Sequence, residues 1–265
     1  MKLFSNLYKK MNIIIGGGPV GSSLALKLAQ NNHQVTLINN FINLGSHNDT
    51  SRLSRLAFDG TRTEFKLSQQ AIINLLKINK TVGEKVITSR PGVLFIASPN
   101  TTLAKKLKNG ESFDNGLKRL TQAEVNTIFS GYAFNFPHET LYWHHPVGYV
   151  VNPIELTKAN RVLAAAHGCE IIDAEGRISY NQNNFNITTS NQQSFSTKNL
   201  FLLAGASNKQ LSEAGDLAIP EFNNTYLTAI STIRYQSASK RGLMPITVGS
   251  LQLNSFPYLL DFSTM

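Results

Sequence analysis

The chain has 265 residues, of which 42% are hydrophobic and 15% charged, enough to bury the core of one large or two closely joined domains. No apolar run approaches the ~20 residues that a membrane-spanning helix needs, so no membrane association is expected. The net charge of +9 is scattered, without a basic stripe interleaved with aromatics; this disfavours nucleic acid and suits an anionic substrate or dinucleotide.

The first ten residues, MKLFSNLYKK, read as an N-terminal extension, too polar for a signal peptide. Asn12-Ile-Ile-Ile then predicts a short buried strand, followed by Gly16, Gly18 and Gly21 at G-x-G-x-x-G spacing and a helix over Ser22–Gln30. Pro19 and Val20 sit inside the turn. A second apolar strand is predicted at Gln34–Ile38. Such a turn lets backbone N–H groups and a helix N-terminus face a pyrophosphate, and the strand–turn–helix–strand context raises it above a lone glycine pattern. Asn39 follows Gly16 by 23 positions, where an acidic ribose-binding residue is expected roughly 20 residues on.

Residues 41–55 read as a polar, irregular loop. Within it, Arg52 and Arg55 stand three apart, so on a helical turn they would share a face. Guanidiniums there could grip a carboxylate through two parallel hydrogen bonds, an ordinary ion pair being the competing reading for Arg55. Asp49 would cap a helix formed by the residues after it.

An amphipathic helix is predicted over Glu64–Ile78, a turn at Pro91-Gly92, a strand over Val93–Ala97 and short helices over Thr101–Lys108 and Thr121–Phe129. The last opens on a Thr121/Glu124 capping box. Leu141–Trp143 and Gly148–Val151 read as strands around a turn at His145-Pro146. His144 and His145 are expected to be partly buried turn residues, since further ligands at metal-binding spacing are not evident.

Asn152-Pro153 predicts a helix start and Gly168 its end. Strands are predicted at Glu170–Asp173, Arg177–Tyr180, Asn184–Thr188 and Gln193–Ser196. The apolar run Leu200–Leu203 before Ala204-Gly205 reads as a buried central strand ending at a cofactor. Residues 228–265 read as β-rich. The single cysteine, Cys169, excludes an intrachain disulfide and reads as a small buried side chain; a reducing compartment, the cytoplasm, is expected.

The glycine turn, the segment Gly45-Ser-His-Asn-Asp-Thr-Ser-Arg-Leu-Ser-Arg55 and the later helix–meander–strand order together resemble the FAD-dependent amine oxidases of the D-amino acid oxidase superfamily, most closely the monomeric sarcosine oxidase branch. The resemblance covers about the first 220 residues. It implies an α/β fold: a Rossmann-like FAD-binding domain with an inserted, incomplete antiparallel substrate domain. The expected boundaries are residues 11–90 and 148–220 for the first and 91–147 and 221–265 for the second.

By resemblance, Gly16, Gly18, Pro19, Val20 and Gly21 would lie against the FAD pyrophosphate, Asn39 against the adenosine ribose, and Gly205 against the dinucleotide. Residues from Ser46 to Arg52, including His47 and Ser51, would line the flavin. Arg55 would pair with a substrate carboxylate, while Arg52 and His47 would favour the reduced flavin. The implied activity is oxidation of the C–N bond of a small carboxylate-bearing amine, with flavin reoxidation by oxygen.

Two departures stand out. Family members usually carry Asp or Glu where this chain has Asn39, and they continue beyond the point matching Met265 with a lysine near the flavin and, in one branch, a cysteine that holds it. Covalent flavin is therefore not expected. An alternative reading is an FAD-binding subunit that needs a complementing chain or homo-oligomer. No metal is expected.

Overall fold

The computed structural model describes residues 11–40, 52–89, 92–128, 138–181, 183–215 and 246–248. In chain order it holds β1 (Asn12–Ile15), α1 (Pro19–Gln30), β2 (Val35–Asn39), β3 (Arg52–Arg55), α2 (Arg62–Thr81) and β4 (Ile87–Ser89). Next come β5 (Val93–Ala97), α3 (Thr102–Gly110), β6 (Lys118–Leu120), α4 (Gln122–Ile128), β7 (Leu141–His145), β8 (Gly148–Val151) and α5 (Pro153–Ala166). The remainder comprises β9 (Glu170–Asp173), β10 (Gly176–Asn181), β11 (Asn184–Thr189), β12 (Ser194–Thr197), β13 (Asn199–Leu202), α6 (Asn208–Ala214) and β14 (Ile246–Val248). Contacts divide the chain into two compact units, Met1–Thr50 with Asn152–Thr228, and Ser51–Val151 with Ala229–Met265.

The first unit is built on a parallel sheet in the order β13-β1-β2-β9. Its strands are apolar because both faces are covered. On one face, α1 turns Ala25, Leu26 and Ala29 inward, and α1 and α5 meet where Asn160 Nδ2 approaches Ser22 Oγ at 3.4 Å. On the other, Ile13, Ile15, Ile38 and Ile172 pack with Ile178 and Ile187 of the antiparallel meander β10-β11-β12. Helices, parallel sheet and meander thus form three layers. Asn152 caps α5 by accepting from the amides of Ile154 and Glu155, and Gly168 at φ +87° follows that helix.

The run expected to form a buried central strand behaves differently. β13 pairs with β1 alone among the described residues, and its side chains are half-buried. An apolar run also suits an edge strand half-covered by a meander, and periodicity does not separate the two.

In the second unit, the fully buried β5 pairs antiparallel with β7 and parallel with β14, while β6 borders β7. A second sheet has the order β3-β8-β4. Phe58, Phe65, Phe95, Leu107 and Trp143 fill the core, with the Phe58 and Phe95 rings edge-to-face at 6.4 Å. The expected capping box of α4 is present, the Glu124 amide donating to Thr121 Oγ1 and the Thr121 amide to Glu124 Oε2. A matching box between Thr61 and Glu64 starts α2 two residues before the predicted helix start.

Four expectations need correction here. Residues 52–55 form a strand, not a helical turn, because Arg52 to Arg55 pair antiparallel with Val151 to Gly148; side chains three apart on a strand point to opposite faces. The helix that Asp49 would cap is absent from residues 52–55, and Asp49 itself lies outside the described residues. β7 runs on to His145 because Val93 pairs with His145 and Leu94 with His144, so the two histidines sit on a strand and not in a turn. Contacts also place residues 51–90 in the second unit, whereas the sequence reading assigned them to the first; β3 and β4 both pair with β8.

Candidate functional site

Among the described residues, the chain reverses strand order at one place in the parallel sheet. β1 has β2 on one side and β13 on the other, and in open α/β sheets the ligand crevice lies at the carboxyl ends of strands flanking such a point. Here those ends are Ile15, followed by the glycine turn, and Leu202, followed by Leu203-Ala204-Gly205. The two are locked together by the Leu203 amide donating to the Ile15 carbonyl at 2.7 Å.

Gly16 leaves β1 at φ +108°, a left-handed conformation that a side chain would strain, and a Cβ there would overlap the Leu203 carbonyl. Gly18 is the N-cap of α1 without a side-chain cap, Pro19 occupies its first turn, and no acidic residue stands in that turn. A Cβ on Gly21 would collide with the Gly16 carbonyl oxygen, so glycine at this position is what lets α1 sit directly on the turn. The result is a backbone-walled cradle under an uncapped positive helix end, a donor set that matches a diphosphate. Val20 is exposed beside it.

Asn39 ends β2 half-buried, and its Oδ1 accepts a hydrogen bond from the Gly17 amide at 2.6 Å. Gly17 is the residue that the glycine spacing overlooked: a Cβ there would lie 2.9 Å from Asn39 Cβ. The run of three consecutive glycines was the available signal. Gly205, at φ +60° with open space where a Cβ would stand, opens a short 3-10 turn. The Ala204 amide beside it donates to Asn208 Oδ1 at 2.7 Å.

In the second unit, Arg55 and Asp59 form a two-point ion pair, Nη1 to Oδ1 at 2.7 Å and Nη2 to Oδ2 at 2.9 Å. The guanidinium also donates to the Leu56 carbonyl and stands over the Phe95 ring, 5.0 Å from its centre. Burial pushes the Asp59 carboxyl up, but the hydrogen bonds and charge of Arg55 outweigh it and hold the carboxyl below its ordinary range. Arg52, on the same strand, is exposed. Ser46, His47 and Ser51 lie outside the described residues.

His145 is buried against Phe58, with Nδ1 accepting from the Val147 amide at 3.0 Å and Nε2 3.9 Å from Asp114. Burial lowers the pKa of both His144 and His145. Among the described residues, no group of three or more His, Cys, Asp or Glu side chains is arranged to hold a metal, and no helix is long and apolar enough to cross a membrane.

Comparison with known proteins agrees with this geometry. The family model described as "FAD dependent oxidoreductase" (DAO) matches residues 12–248. No curated protein matches the chain. Among solved structures, L-proline dehydrogenase from P. horikoshii superposes with a TM-score of 0.67 at 19% identity, covering 80% of this chain and 57% of that one. Glycine oxidase from Bacillus cereus gives a TM-score of 0.60 at 22% identity, covering 77% and 58%. NikD, an amino acid oxidase essential for nikkomycin biosynthesis, gives 0.60 at 16%, covering 77% and 54%. These likenesses show the shared fold, and the chain spans little more than half the length of each neighbour.

The residues of the cradle fit the cofactor that the family model implies. A turn in which a Cβ at Gly16 or Gly21 would strike backbone, an uncapped helix end and a strand-order reversal meet where a dinucleotide binds in such sheets. The chain belongs to the DAO family of FAD-dependent oxidoreductases.

Proposed function

We propose that this chain holds FAD with its diphosphate in the Gly16–Gly21 turn and, as such an oxidoreductase, oxidises the C–N bond of a small amine bearing a carboxylate. The observation that carries the reading is the cradle at the strand-order reversal, where Gly16 abuts Leu203 and Gly21 abuts Gly16. FAD supplies the two-electron acceptor for the carbon next to nitrogen, with oxygen as the terminal acceptor. The α1 end faces the diphosphate, while the Gly16 and Gly17 amides hold the turn to Ile38 and Asn39; Asn39 faces the ribose, and Gly205 the dinucleotide where β13 ends.

Arg55 is proposed to hold the substrate carboxylate. Its fork already receives Asp59 through two parallel bonds, so a substrate would exchange one carboxylate for another in a preformed geometry. Arg52 and His47 are assigned as cations that favour the electron-rich state of the cofactor, and Ser46 and Ser51 as flavin-lining residues. The names of the structural neighbours, an amino acid oxidase, a glycine oxidase and a proline dehydrogenase, support an amino or imino acid substrate. The single buried thiol fits a cytoplasmic location.

Coverage of little more than half of each neighbour favours a second reading, in which a further segment, partner chain or second copy completes the substrate site. One experiment separates the readings. Purified protein is loaded with FAD, and the flavin absorption bands are followed without oxygen while glycine, proline or N-methylglycine is added. Bleaching, with peroxide on readmitting air, supports the oxidase. FAD binding without bleaching supports a site completed elsewhere, and no FAD binding removes both.

A further inference from the structure

Asn39 departs from the acid expected at the end of the second strand, and its surroundings fix which way its amide faces. The Gly17 N–H can donate only to an oxygen, so Oδ1 points at the glycine turn across 2.6 Å. The –NH2 group must then face away from the turn. An aspartate in the same place would give Gly17 one oxygen and leave a second, charged acceptor where Asn39 leaves a donor.

Two carboxylates flank this end of β2. Asp173, in register with Asn39, has its charge acting on Arg161, and Glu175 accepts from Asn40 Nδ2 at 2.8 Å. Each already has a partner of its own. The position that in related sites rejects a 2′-phosphate by charge is therefore neutral and hydrogen-donating in this chain.

We propose that Asn39 makes the adenosine end of the site tolerant of a 2′-phosphate, so that the turn accepts adenosine diphosphates with a free or a phosphorylated 2′-hydroxyl. The inference rests on the FAD-binding reading of the turn. It concerns tolerance and not preference, since no arginine follows Asn39 closely to reward the extra phosphate.

The test is calorimetric titration of the whole protein at fixed ionic strength with ADP-ribose and with 2′-phospho-ADP-ribose. The wild type is expected to bind the two within about tenfold of each other, because Asn39 itself sets no charge against the 2′-phosphate. Asn39→Asp keeps the acceptor for Gly17, so ADP-ribose binding should persist, while rejection of the 2′-phosphate should deepen by roughly ten- to thirtyfold, the effect of a carboxylate about 4 Å from a phosphate in water. A wild type that rejects the phosphorylated ligand more than about a hundredfold, or a variant with an unchanged ratio, would overturn the assignment while leaving the FAD reading intact. Failure of ADP-ribose itself to bind would overturn both. The wild-type ratio decides even if the variant does not fold.

Discussion

Arg55 and Asp59 face each other through two parallel hydrogen bonds of 2.7 and 2.9 Å, four residues apart, beside the buried Phe95 ring. Arg55 ends a strand and Asp59 stands in the turn that follows. The pair is local in sequence, yet the ring beneath it arrives from β5.

This pairing sets a pH dependence. The folded-state pKa of Asp59 is lowered from 3.8, so the pair's stabilisation is fully present above that value and is lost as pH falls through the lower folded value. Arg55→Met should cost about 1–3 kcal/mol at neutral pH, by stranding a half-buried carboxylate, and should flatten this acid limb. Urea unfolding between neutral pH and pH 3 measures both. Arg55→Lys, which keeps the charge and loses the fork, should raise the Michaelis constant for a carboxylate-bearing substrate. An unchanged constant would remove Arg55 from that role.

The glycines of the first unit should respond unequally. Gly21→Ala drives a methyl into the Gly16 carbonyl and should destabilise by about 1–3 kcal/mol or more, with FAD binding lost. Gly205→Ala meets open space and pays only for its positive φ, about 1 kcal/mol. Thermal melting and FAD titration of the two variants check the contrast.

Buried Asn79 near the end of α2 accepts from the Val86 and Ile87 amides at 3.0 and 2.8 Å. Asn79→Leu leaves two amides without an acceptor and should cost about 2–4 kcal/mol. Asn79→Asp keeps the acceptor oxygens and should cost less. Denaturant unfolding separates them.

Burial pushes the Cys169 thiol up to about 11. The folded protein should therefore resist iodoacetamide at pH 8, while the denatured chain is alkylated at once. Intact-mass spectrometry reads the difference.

Local pattern explains what was legible in the sequence. β1, α1, β2, α5, β9 and the meander carry their own periodicity, caps and turn residues, and they form as expected to within a few residues. β3, β4 and β6 were missed. Each is three or four residues long and is defined by partners far along the chain, as when Arg52 pairs with Val151. Reading Arg52 and Arg55 as neighbours on a helical turn failed for the same reason: spacing acquires meaning only once the element type is fixed. In the site, Gly16 and Gly21 were legible because turn geometry demands glycine there. The Gly17–Asn39 bond, the Arg55–Asp59 pair and the place of β13 beside β1 depend on which strands become neighbours, which no local window encodes.

The central claim is that the glycine turn beside Leu203 receives the diphosphate of FAD. The most direct measurement is a titration of the folded protein with FAD, followed by flavin fluorescence, with ADP as competitor. Saturable one-to-one binding that ADP displaces, and that Gly16→Val abolishes in a still-folded variant, is the expected result. No saturable binding, or binding unchanged by ADP and by Gly16→Val, would contradict the account.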